Sequence, residues 1–283
     1  MRDKNKKAFL IIVLLLVICF GFRLIANKVL ESKPDDEEIA TEEVTPVIKV
    51  EPQVIEDTIK DDIMDSKEDE LTENIVEINT EEQFYIEDIS DELFEKMKGK
   101  SFKDDCILDR ADLRYVHVLH KTLSGETLEG ELVVNYHIAK ETLKIFKELY
   151  EADYPIEKIR LIDEYDADDE SSMADNNSSS FNFRFVSNTN HISNHGYGLA
   201  IDINPLYNPY ITTVNGEQHI EPSNANEYAD RDADFDYKIT KDDLAYIVFT
   251  QYGFSWGGDW KNSKDYQHFE IPSEKIKEWY PNK

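Results

Sequence analysis

Ser193-Asn194-His195-Gly196-Tyr197-Gly198-Leu199-Ala200-Ile201-Asp202-Ile203-Asn204-Pro205 is the stretch on which the fold turns. Leu199, Ile201 and Ile203 alternate with Ala200, Asp202 and Asn204. A period of two predicts a strand that buries the first set and turns Asp202 to the opposite face beside small Ala200. His195 precedes Asp202 by seven residues, a span of about 23 Å if extended and about 10 Å if helical. Two ligands of one metal lie only a few ångströms apart, so joint action requires the chain to fold back between them. Gly196-Tyr197-Gly198 places two residues free of the β-carbon penalty at that point, which suits a tight reversal.

Downstream, Lys264-Asp265-Tyr266-Gln267-His268-Phe269-Glu270-Ile271 reads as a second short strand, following the glycine-rich Trp256-Gly257-Gly258-Asp259-Trp260. His268 then shares a face with Tyr266 and Glu270. Two histidines and a carboxylate, leaving a fourth position for water, suit a catalytic Zn2+ rather than a structural one, and no cysteine set competes. Any one of the seven histidines taken alone is more often a surface or core residue than a ligand. The surrounding pattern is what singles these out.

That pattern resembles the zinc-dependent peptidoglycan peptidases, the family of VanY-like D-alanyl-D-alanine carboxypeptidases and L-alanyl-D-glutamate endopeptidases. The signature Ser-x-His-x-x-Gly-x-Ala-x-Asp is met by Ser193, His195, Gly198, Ala200 and Asp202, and the acidic residue three before a histidine by Asp265 and His268. The resemblance spans about residues 113–271. It implies that His195, Asp202 and His268 hold zinc, and that Asp265 takes the proton from the attacking water. It further implies that Arg184, in Phe181-Asn182-Phe183-Arg184-Phe185, steadies the substrate carbonyl and its developing oxyanion. Ser193 is read as either a substrate contact or a turn hydrogen bond. The implied substrate is the peptidoglycan stem peptide, cut next to a D-amino acid. Many carboxypeptidase members carry Glu-x-x-His, so Asp265-x-x-His268 looks more like the L-alanyl-D-glutamate endopeptidase branch. A D-alanyl-D-alanine carboxypeptidase is the alternative within the class, and a non-catalytic cell-wall-binding module the alternative outside it. His191 and His219 lack partners at ligand spacing and are read as non-ligands, while Trp256, Asp259 and Trp260 are expected to shape the cleft wall.

The remaining pattern predicts an α+β domain over residues 83–283, a small antiparallel sheet carrying the zinc site with flanking helices. A short helix is expected over residues 91–98 and a strand over 113–119. A helix over 137–152 follows from Ile138, Thr142, Ile145, Phe146 and Leu149 sharing one face, with a strand over 159–162 after it. Thr240 and Asp243 resemble a capping box, ahead of a buried stripe of Leu244, Ile247, Val248 and Tyr252 that ends before Gly253. The Asp-, Asn- and Ser-rich segment 166–180 reads as an exposed loop bordering the substrate groove.

Ahead of that domain, residues 1–30 read as a transmembrane anchor or signal peptide. Arg2, Lys4, Lys6 and Lys7 flank an apolar run over residues 8–22. The run is shorter than the roughly 17 to 25 residues of a span, but Arg23 can snorkel and let residues 24–26 complete it. Ile18 stands where a lipoprotein signal needs a small residue, so Cys19 is read as unlipidated. The basic flank predicts a single pass with the domain extracytoplasmic, or a secreted domain if the segment is cleaved. Residues 31–82 carry 20 acidic and 4 basic residues, no aromatics and no glycine, the composition of a disordered spacer. Cys106 is then the only cysteine outside, so no disulfide staples the domain. The formal net charge of −29 argues against nucleic-acid partners.

Overall fold

A computed structural model describes residues 80–186 and 189–281. The expected anchor, and the linker up to residue 79, lie outside the described residues. Among the described residues no helix is long and apolar enough to cross a membrane.

Three antiparallel strands form the first layer in the order β1 (Tyr85–Asp88), β2 (Leu113–Lys121), β3 (Thr127–Asn135). Helix α1 (Asp91–Met97) follows β1 and starts where Ser90 accepts the Leu93 backbone N–H at 3.1 Å. Helix α2 (Ala139–Glu151) covers the sheet. Its predicted face of Ile138, Thr142, Ile145, Phe146 and Leu149 is buried throughout, as the helical period requires.

Beyond α2 the elements shorten. The strand expected over 159–162 shrinks to β4 (Lys158–Ile159), and the chain turns into a 3-10 helix at Ile162–Tyr165. The turn carries Asp163 inward, where it accepts from the Ser101 backbone N–H at 3.1 Å and the Ser101 hydroxyl at 2.9 Å. Those bonds outweigh the strand propensity of the isoleucines. The segment expected as an exposed loop is instead helix α3 (Asp169–Ala174) and strand β5 (Asn177–Ser178), which pairs parallel with β4. Ser172, Asn176, Asn177, Ser178 and Ser180 are buried. Asn177 shows why: its amide donates to Arg160 O and accepts the Arg160 backbone N–H at 2.8 Å, splinting β4 to β5.

Strands β6 (Ala200–Asp202), β7 (Tyr210–Val214) and β8 (Glu217–Glu221) come next. Helix α4 (Leu244–Gln251) follows, then β9 (Ser255–Trp256), β10 (Ser263–Asp265), β11 (His268–Glu270) and α5 (Ser273–Trp279). Two further three-stranded antiparallel sheets result, β6-β11-β9 and β10-β7-β8. The mixture of helices and small antiparallel sheets is compatible with the α+β expectation, and β6 and β11, which carry Asp202 and His268, lie in one such sheet.

The N-cap of α4 is Asp243 itself, accepting the Ala245 backbone N–H at 2.8 Å, rather than Thr240 three residues earlier. Of the predicted stripe Val248 is buried and Leu244 and Tyr252 are partly buried against the core, whereas Ile247 is exposed and Ala245 and Phe249 are inside instead. Phe249 joins the layers: its ring meets Phe146 of α2 edge-on at 6.3 Å and stacks on Phe269 of β11 at 4.3 Å.

Candidate metal centre

Strands β6 and β11 run antiparallel with His268 opposite Asp202, Phe269 opposite Ile201 and Glu270 opposite Ala200. Directly opposed residues share a face, so Ile201 and Phe269 go into the core while Asp202 and His268 meet on the other side. Leu199, Ile201 and Ile203 are fully buried, as their alternation predicts. His195 reaches the same point from the 3-10 turn Asn194–Tyr197. Gly198 closes that turn at φ +65°, and a β-carbon there would meet the Asn135 backbone N at 2.8 Å. Gly196 serves close approach instead, because its β-carbon would sit 2.7 Å from Ile192 Cγ2.

The three side chains converge. His195 Nε2 lies 3.1 Å from Asp202 Oδ2, His268 Nδ1 lies 3.0 Å from Asp202 Oδ1, and the two ring nitrogens are 3.1 Å apart. Bonds of about 2.0 to 2.2 Å to one tetrahedral ion would separate ligand atoms by roughly 3.3 Å. The far sides of both rings fix the tautomers. His195 Nδ1–H donates to Ser180 O at 2.7 Å, and His268 Nε2–H donates to Glu270 Oε2 at 3.2 Å. Glu270 in turn accepts from the Asn194 amide. With both imidazoles neutral, each turns a lone pair toward the Asp202 carboxylate, so three electron-pair donors crowd one buried point. Such a set repels itself unless a cation sits among the donors, and its chemistry fits Zn2+.

Electrostatics point the same way. Burial works to raise the Asp202 pKa, but His195 and His268 hold its carboxyl well below the usual range. Burial works to lower the His268 pKa, but Asp202 and Glu270 hold it well above normal. The pocket is built to favour positive charge.

Asp265 ends β10, with its Oδ1 shut from solvent and without a hydrogen-bond partner. Burial pushes its pKa up to about 7, with the Asp202 charge adding to the rise and His268 and Arg184 opposing it. A carboxyl poised near neutrality beside a metal site has the properties of a general base.

Arg184 lies on a strand-like segment bonded to the His195 turn, its carbonyl accepting the Ser193 backbone N–H at 3.0 Å. Its guanidinium pairs with Asp169. Ser193 is buried, and its hydroxyl caps the turn by accepting the His195 backbone N–H at 3.3 Å. Of the expected cleft wall, the Trp260 ring stands 5.3 Å from that of His268. Trp256 is buried and donates to Tyr266 O at 2.9 Å, and Asp259 pairs with Lys241 at 2.6 Å. His191 and His219 are exposed and outside the cluster, which among the described residues comprises His195, Asp202 and His268.

Ser180, Asn194 and Glu270 were not singled out as parts of the centre by residue type. Only Glu270 carries a signal, standing two residues after His268 on the same strand face.

The family model described as D-alanyl-D-alanine carboxypeptidase matches residues 187–271. The match encloses Ser193, His195, Asp202, Asp265 and His268 and begins just after Arg184. It supports a peptidase. No solved structure matches the chain.

Proposed function

We propose that the chain is a zinc metallopeptidase that hydrolyses peptide bonds next to D-amino acids in peptidoglycan stem peptides. The observation that carries this reading is the convergence of His195, Asp202 and His268, all as lone-pair donors, beside the buried carboxyl of Asp265.

His195 Nε2, Asp202 and His268 Nδ1 would hold the zinc, which when bound lowers the pKa of water and polarises a carbonyl. Asp265 accepts the proton from the attacking water on its carboxylate and returns it to the leaving amine. Arg184, permanently charged, faces the oxygen that gains negative charge. Ser180 and Glu270 keep both imidazoles in the ligating tautomer.

As to the bond, the matched model's description favours loss of the terminal D-alanine, and that match includes Asp265-x-x-His268. The aspartate in place of glutamate favours an L-alanyl-D-glutamate cut. Mass spectrometry of a digested stem pentapeptide separates them, since the first removes one alanine and the second splits the peptide in two. A chain that retains no zinc and leaves both bonds intact would refute the proposal. A wall-binding module without turnover would bind the same peptides and be indifferent to Asp265→Asn. Export through residues 1–30 and a spacer over 31–82 would set this domain at the wall.

A further inference from the structure

The guanidinium of Arg184 has one neighbour of opposite charge in contact. Its buried Nε lies against Asp169 Oδ2 as an ion pair rather than an aligned hydrogen bond. Among the described residues neither Nη atom makes a hydrogen bond, and the contact with Asp169 is made at Nε. The two side chains are 33% and 32% exposed, so the pair is partly shielded from water.

Asp169 is itself held in place. Its Oδ1 accepts from the Asn182 amide at 2.8 Å, and the same amide donates to Ala167 O at 3.1 Å. The Asn182 backbone N–H donates to His195 O at 3.2 Å. One carboxylate thus ties the first turn of α3 to the segment carrying Arg184, and that segment is tied to the turn carrying His195. The far side of α3 is anchored as well: Glu170 accepts the Ser223 backbone N–H at 2.7 Å, and the Asn224 amide donates to Ala174 O at 3.0 Å.

A long arginine beside a cluster of carboxylates tends to fall onto the nearest of them. Asp202 and Asp265 are the negative charges of the metal centre, and Arg184 is close enough to Asp265 to act on it electrostatically. An arginine collapsed onto Asp265 would occupy the base and leave no donor for a substrate oxygen. A contact made at Nε holds the side chain back from Asp265 and leaves the Nη atoms without hydrogen bonds of their own.

We propose that Asp169 is the positioning residue of this site, holding Arg184 by Nε so that its Nη edge is presented to the substrate's carbonyl or carboxylate oxygen. The inference rests on the peptidase reading above, but its structural half can be measured without turnover.

The test uses the full-length chain as wild type, Asp169→Asn, Arg184→Ala and the double variant. Asparagine keeps an Oδ1 acceptor for Asn182, so Asp169→Asn should fold and retain zinc, as melting temperature and metal content will check. NMR of 15N-arginine-labelled protein follows the Arg184 Nε–H signal, assigned by its loss in Arg184→Ala. The signal should be sharp in the wild type and broadened in Asp169→Asn. With stem pentapeptide, Asp169→Asn should lower kcat about 10- to 100-fold with a smaller change in KM, as for a misplaced catalytic partner. Guanidinium added to Arg184→Ala should restore part of the rate, and the double variant should not respond. An unchanged Nε–H signal, or wild-type kcat in Asp169→Asn, overturns the proposal. Broadening in Asp169→Asn with no cleavage even by the wild type leaves the clamp standing and removes the peptidase reading.

Discussion

Asp202 and His268 occupy opposed register positions on β6 and β11, and the carboxylate Oδ1 lies 3.0 Å from Nδ1 of the ring. The backbone ladder itself fixes this pair of donors. Only His195 depends on a turn, and that turn is held by Gly198 and by the Asn194 O to Leu199 N–H bond at 2.9 Å. The centre is therefore preorganised, and metal binding should stabilise the fold rather than build it.

Zinc removal is accordingly expected to lower the melting temperature without unfolding the domain. At a free zinc concentration 100 times Kd the stabilisation is about 2.7 kcal/mol. Asp202→Ala should abolish the zinc-dependent part of the melting temperature while keeping the circular dichroism of the folded chain. Calorimetry with and without chelator measures it. A wild-type melting temperature insensitive to zinc would contradict the assignment.

Glu270 meets the proposed ligands through His268 Nε2–H, so its loss should loosen metal rather than remove it. Glu270→Ala is expected to weaken zinc affinity about 10- to 100-fold, the usual cost of losing the carboxylate behind a ligating imidazole. Competition against a zinc-selective chelator reads this directly. Activity at saturating zinc should recover most of the wild-type rate, which separates this residue from Asp265.

The strand at Ala200–Asp202 and the helix stripe from Ile138 to Leu149 were legible because their apolar residues recur at periods of two and 3.6, even though both faces of the strand are buried. The clustering of His195, Asp202 and His268 was legible because the motif that carries them is a property of the chain. Segment 166–180 was not, because composition does not distinguish an exposed polar loop from one whose Asn and Ser side chains bond inward. Asn177 and Ser172 do the latter, at 3.0 Å from each other. Asp169 was invisible for the same reason: its partner Arg184 is local in space but not in helix or strand register. At α4, two aspartic or threonine caps three residues apart compete, and the one that brings Phe249 into the core wins.

Asp265 must be ionised to accept a proton, and burial raises its pKa to about 7. Activity is therefore lost as pH falls through that value and is full above it. Zinc beside the carboxyl adds positive charge, which favours the ionised form, so the acid limb of kcat/KM should lie at or below about 7. Asp265→Asn should cost about 10²- to 10⁴-fold in rate with unchanged zinc content, and its residual activity should lose that limb. A pH–rate profile of both proteins, with metal analysis, decides it. A wild-type rate flat down to the pKa of an ordinary aspartate would remove Asp265 from the role.

Phe249 offers a test of how the core supports the chemistry. It is fully buried, stacks on Phe269, and Phe269 is the residue between His268 and Glu270 on β11. Phe249→Ala is expected to destabilise the domain by about 3 to 5 kcal/mol, the range for deleting a buried aromatic. Phe249→Leu keeps most of the volume and should cost less. Because Phe269 faces the core while its neighbours face the metal, slackening beneath it shifts both His268 and its Glu270 partner. Zinc affinity should therefore fall in Phe249→Leu even where the folded fraction remains complete, as measured by urea denaturation and zinc titration on the same samples. An equal-volume loss at Leu119, buried in β2 away from the metal strands, should lower stability and leave zinc affinity unchanged. If Leu119→Val and Phe249→Leu weaken zinc alike, the coupling runs through global stability and not through the Phe249–Phe269 stack.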